Sequence, residues 1–124
     1  MATELNYLVF DYSDNTEGLG HFVAMASVTP ERVAALRAEI ALVLDWAFDA
    51  FPHSHGPFED GGEWDHDLQG QQEFSAEESL SYDPVARAFT VQVGPAGAAR
   101  HAVTFSIGGV PEFCGALARR FGLE

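Results

Sequence analysis

"TPERVAALRAEIALVLDWAFDAF", residues 29–51, decides the fold class. Thr29 is a helix-capping residue type, Pro30 suits the first helical position, and Glu31 favours the positive end of the helix dipole. Val33, Leu36, Ile40, Val43, Leu44 and Ala47 then recur at helical spacing and make one apolar face. Pro52 stops the run, because its ring excludes the preceding residue from helical geometry. The spacing predicts a helix of about twenty residues that gives one face to a core. Trp46 and Leu42 fall on the opposite side, near Glu39, Asp45 and Asp49.

The segments around this helix read as strands. Upstream, "ELNYLVFDYS" (4–13) and "HFVAMASVT" (21–29) are rich in β-branched and aromatic residues, with the turn-forming "DNTEGLG" between them. So short a connection predicts an antiparallel hairpin. Both alternating sets of the first segment are largely apolar, which suggests a strand covered on both faces. Downstream, "EWDHDLQGQQEF" (63–74) reads as an extended polar edge, and "ESLSYD" (78–83) as a further strand. "ARAFTVQV" (86–93) places Phe89, Val91 and Val93 inward, and "RHAVTFSIGG" (100–109) does the same with Val103, Phe105 and Ile107. With "GPAGAA" between them, these two are expected to pair as a hairpin with one buried face. "VPEFCGALARRFG" (110–122) closes the chain as a short helix with the stripe Phe113, Leu117 and Phe121, stopped by Gly122.

"MASVTPERVAAL" (25–36) and "TFSIGGVPEFCGAL" (104–117) both pass from strand through Pro-Glu into a helix, so a duplicated strand–strand–helix unit is an option. The expected architecture is α+β: a two-layer sandwich with an antiparallel sheet of about 5–6 strands and two helices on one face. At 124 residues it forms a single domain, 1–124.

Charge is the strongest global signal. The chain carries 19 acidic residues against 6 basic ones, for a net charge of −13. That balance argues against a nucleic acid or an anionic membrane as partner, and no apolar run is long enough to span a bilayer. The excess is uneven: residues 1–83 hold 17 acids and 2 Arg, residues 84–124 hold 2 acids and 4 Arg. No Lys is present, so a phosphate-cradling loop with its lysine is missing. The lone Cys114 precludes an internal disulfide and suits a reducing compartment, so the cytoplasm is the expected location.

Candidate chemistry gathers in "PHSHGPFEDGGEWDHD" (52–67), with three His and five carboxylates among Gly and Pro. His53, His55, Glu59 and His66 are a possible ligand set for Zn²⁺ or another divalent transition metal, since imidazole and carboxylate suit such ions. The spacing from His53 to Glu59 is similar to the first metal motif of cupin barrels. Here, however, it follows a long helix rather than a strand, no later motif supplies another His, and the family is not assigned. Alternatively, Trp46, Phe58 and Trp64 with Glu59, Asp60, Glu63, Asp65 and Asp67 would form an aromatic patch rimmed by acids. That reading makes the chain a non-enzymatic domain binding a basic protein, in the manner of an inhibitor or antidote, without a cofactor. Self-association through an exposed sheet face or edge is a third option. A Cys114–His101 nucleophile pair lacks a third orienting group, and residues 11–18 lack calcium-loop spacing.

Overall fold

The computed structural model describes residues 3–123. Strand β1 (Phe10–Asp14) and strand β2 (Gly20–Val28) form the expected antiparallel hairpin, with Phe10 opposite Ala24. Its loop is held by the Asn15 side-chain carbonyl, which accepts N–H bonds from Glu17 and Leu19, each 2.9 Å. A 3₁₀ turn at Pro30–Arg32 then leads into helix α1 (Val33–Ala50). Thr29 stands in the capping position with extended backbone, but its side chain makes no capping bond.

Strand β3 (Trp64–Glu73), strand β4 (Ala76–Asp83), strand β5 (Ala88–Ala96), strand β6 (Arg100–Gly109) and helix α2 (Pro111–Phe121) complete the chain. Four strands make one antiparallel sheet in the order β1-β2-β6-β3, and β4 and β5 make a separate two-stranded ribbon. The α+β class therefore holds, while the single sheet of 5–6 strands resolves into four plus two. The expected pairing of residues 86–93 with residues 100–109 is not formed. Both edges of β6 are already taken, by β2 and by β3, and no free edge is left for β5. Instead β3 and β6 continue outward as one long ribbon, past a 2.6 Å bond from the Gly97 N–H to the Ser75 carbonyl, into β4 and β5.

Alternation along β2 and β6 sends Phe22, Ala24, Val28, Phe105 and Ile107 to one face. There they meet Leu36, Ile40, Val43 and Ala47 of α1 and Phe113, Leu117 and Phe121 of α2 in a single core. Both helices thus cover the same face, and Met25 and Ser27 on the other face are exposed. Each of the central strands β2 and β6 runs through a Pro-led junction into its helix. The second strand–strand–helix unit is not formed as a hairpin, since β5 pairs with β4. No helix among the described residues is long and apolar enough to cross a membrane.

Residues 5–8 are not a strand. Glu39, buried on α1, reaches across to accept three backbone N–H bonds, from Asn6 (2.8 Å), Tyr7 (2.9 Å) and Leu8 (2.7 Å). The carboxylate therefore pins this segment where a sheet ladder would otherwise satisfy it. Glu39 belongs to the core side of the helix, not to the outer side with Asp45 and Asp49.

Candidate functional site

The loop after α1 is a built structure. Pro57 precedes a 3₁₀ turn at Phe58–Asp60, and Gly61 ends it in the left-handed region with φ 90. At Gly62 a Cβ would lie 2.0 Å from the Gly56 carbonyl oxygen, so only glycine lets the two limbs of the loop approach. Their contact is a short parallel bridge between His55 and Trp64, flanked by bonds from the Glu63 N–H to the Ser54 carbonyl (2.8 Å) and from the Gly56 N–H to the Trp64 carbonyl (3.0 Å). The returning limb becomes β3, an edge of the sheet as the polar sequence suggested.

This path separates the residues of the aromatic patch. Trp64 is completely buried, stacked on Phe113 at 5.2 Å with rings only 4° from parallel, and its indole N–H bonds the Phe51 carbonyl at 3.1 Å. Trp46 is half-buried against Phe51, Phe113 and Phe121, and borders a hollow of about 390 Å³ with Leu42, Asp45, Asp49 and Arg120. Phe58 is half-buried too, edge-on to His21 beside a different hollow. Glu59, Asp60, Glu63 and Asp67 are exposed, with Asp67 accepting a bond from the Gln69 amide at 3.1 Å. No one surface therefore presents the three aromatics together. Trp64 has been drawn into the core because it closes the end of the sheet over α2.

Of the four candidate ligands, the fold joins two. His55 Nε2 lies 3.0 Å from His66 Nδ1 and 3.1 Å from Asp65 Oδ1. His53 is exposed on the outer limb, and Glu59 is exposed in the 3₁₀ turn, so neither joins the cluster formed by His55, Asp65 and His66. Phe48 and Trp64 wall His55, with ring centroids 4.9 Å and 4.5 Å away. Burial, and then the neighbouring His55, hold the His66 imidazole below its ordinary pKa and so favour its neutral form. Asp65 takes the place expected for Glu59. Linear spacing hid it, because the bridge between Ser54–Gly56 and Glu63–Trp64 sets the distance.

The Cys114–His101 pair is not formed. Cys114 Sγ lies 3.3 Å from the Gly109 carbonyl, whereas His101 is eight residues earlier on extended β6, about 26 Å away at ~3.3 Å per residue. Burial pushes the Cys114 thiol above its ordinary pKa. Its contribution to stability is intact below about pH 8.5, the value for an unfolded thiol, and is lost as pH rises through the raised folded value. We expect the folded protein to resist thiol-specific labelling at neutral pH and to react fully only when denaturant unfolds it, which a thiol-labelling time course measures.

Phe89, Val91 and Val93, expected to face inward, are on the surface, and Leu80 and Tyr82 of the paired strand are exposed beside them. Leu80, Tyr82, Phe89, Val91 and Val93 of the β4–β5 ribbon are each between 51% and 68% exposed. The register sets Leu80 opposite Val91, Tyr82 opposite Phe89 and Glu78 opposite Val93, so these side chains share one face. Ser79, Ser81, Thr90 and Gln92 alternate onto the other. The alternation was read correctly; the cover for its apolar face is not supplied by any described residue of this chain. Comparison with family models, with curated proteins and with solved structures finds no match.

Proposed function

We propose that the chain is a non-catalytic domain that binds a basic protein through the apolar face of the β4–β5 ribbon. The observation that carries this reading is an uncovered ribbon face on which Leu80, Tyr82, Phe89, Val91 and Val93 gather, with Glu78 at one end. A two-stranded ribbon alone is marginal in water and needs a third layer or strand on its apolar face. Five large side chains at this exposure offer roughly 500 Å² of apolar surface, most of the about 800 Å² that each partner gives to a standard interface. A patch of that size is toward the upper end of what a monomer exposes, where the largest patch is often functional.

Charge selects the partner. Glu73, Glu77, Glu78 and Asp83 border the ribbon, against Arg87 and Arg100. The Arg100 guanidinium is turned toward β2, at 3.0 Å to Ser27 Oγ and 2.8 Å to its carbonyl, and the four carboxylates outnumber the two arginines. A second copy, also at −13, would bring like charges together; a basic surface with an apolar strip gains from both terms.

The test uses two short synthetic peptides, one alternating valine with lysine and one alternating valine with glutamate. The lysine peptide is expected to bind, more weakly as salt rises, and at least tenfold more tightly than the glutamate peptide. The triple variant Leu80→Ser, Phe89→Ser, Val91→Thr is expected to keep the melting temperature and lose that binding. Equal affinity for both peptides would overturn the reading. So would a dimer in sedimentation that the triple variant abolishes, because the occupant would then be a second copy.

A further inference from the structure

We propose that His55, Asp65 and His66 form a three-ligand site for a divalent transition metal, with Zn²⁺ the best fit. Their donor atoms all lie within 4.8 Å of one another. The two short sides of the triangle, 3.0 and 3.1 Å, are close to the ~3.3–3.5 Å edges of a tetrahedron with zinc bonds of about 2.0–2.2 Å. An opening of a few tenths of an ångström would bring these two sides to that edge, and the third side lies within 4.8 Å. Two imidazoles and a carboxylate are also the donor set that zinc accepts with a fourth position left for water.

The donors are supported rather than free. Asp65 and His66 are consecutive on β3, and the Asp65 Oδ1 atom accepts the His66 backbone N–H at 2.8 Å, which orients the carboxylate. His55 is fixed from the other side by its bridge to Trp64, and its ring lies against Phe48 and Trp64. Rotation of that ring away from the cluster is therefore opposed by packing, which is the support a metal site needs. The side chains of His55 and Asp65 are 29% and 37% exposed, so an ion has a path in. The surrounding potential, from a chain at −13, concentrates cations there. The site lies at the start of β3, while the ribbon leaves from its far end, about 30 Å away along an extended strand. This inference is therefore independent of the binding role given to the ribbon.

The experiment titrates Zn²⁺ alone into untagged, chelator-stripped protein by calorimetry, and Co²⁺ in parallel by visible absorption. One saturable site per chain, a tetrahedral Co²⁺ spectrum and a rise in melting temperature with Zn²⁺ are expected. His55→Ala and Asp65→Asn should each weaken Zn²⁺ binding at least tenfold while His53→Ala leaves it unchanged. The melting temperature of each variant in chelator shows that the fold persists; His55 and Asp65 are partly exposed, so both should retain it. Absence of saturable binding, an octahedral Co²⁺ spectrum, or equal affinity in His55→Ala and the parent would overturn the site.

Discussion

Trp64→Ala is expected to cost about 3–5 kcal/mol of folding stability, because it empties the largest fully buried side chain of the core. The indole fills the space between Phe48 and Phe113, and its N–H satisfies the Phe51 carbonyl at the end of α1. Truncation removes the stacking, leaves a cavity and strips that carbonyl of its partner in one step. Trp64→Phe keeps an aromatic ring on Phe113 and should lose about 1–2 kcal/mol, chiefly the hydrogen bond and the smaller ring. Denaturant unfolding of the three proteins gives both numbers. A loss below about 1 kcal/mol for the alanine variant would mean that the ring is a surface group, as its acidic sequence neighbours suggest.

Glu39→Ala should be nearly as damaging, at about 3 kcal/mol. Three backbone N–H groups lose a charged acceptor together, and Leu8, which stays buried, cannot turn to water for replacement. Glu39→Gln retains one acceptor oxygen but turns an NH₂ group toward donors, so an intermediate loss is expected. Hydrogen exchange locates the effect: the amides of Asn6, Tyr7 and Leu8 should lose protection before the rest of the molecule. Uniform loss across the sheet would show that Glu39 acts through α1 packing instead.

Both residues mark where periodicity stops carrying information. The stripe of α1 was legible because Leu36, Ile40, Val43 and Ala47 repeat at helical spacing and are all buried. Glu39 lies on that same face, three after Leu36 and four before Val43, although the sequence reading groups it with Trp46, Leu42, Asp45 and Asp49 on the outer side. The signal was there; its interpretation needed the N-terminal segment, whose amides sit far away in sequence. Trp64 has Gly62 and His66 at its nearest alternate positions, with Glu63 and Asp65 beside it, so nothing adjacent points inward. The two helices, the first hairpin and the edge character of β3 came from local chemistry, whereas the pairing of β6 with both β2 and β3 is a long-range choice that alternation cannot encode.

The ribbon shows the same limit from the other side. Alternation in Phe89, Val91 and Val93 states that a face is apolar; it does not state whose atoms cover it. In the candidate metal cluster, His55 and His66 were legible as ligand types, but their partner Asp65 depended on how Gly61 and Gly62 turn the chain.

The most direct test of the binding role is a map of where a basic strand lands. The alternating valine–lysine peptide is titrated into isotope-labelled protein while backbone amide resonances are followed. The account predicts that shifts concentrate on Ala76–Ala96 and vanish in the Leu80→Ser, Phe89→Ser, Val91→Thr variant. Shifts centred instead on residues 52–67, or persisting unchanged in the variant, would contradict it.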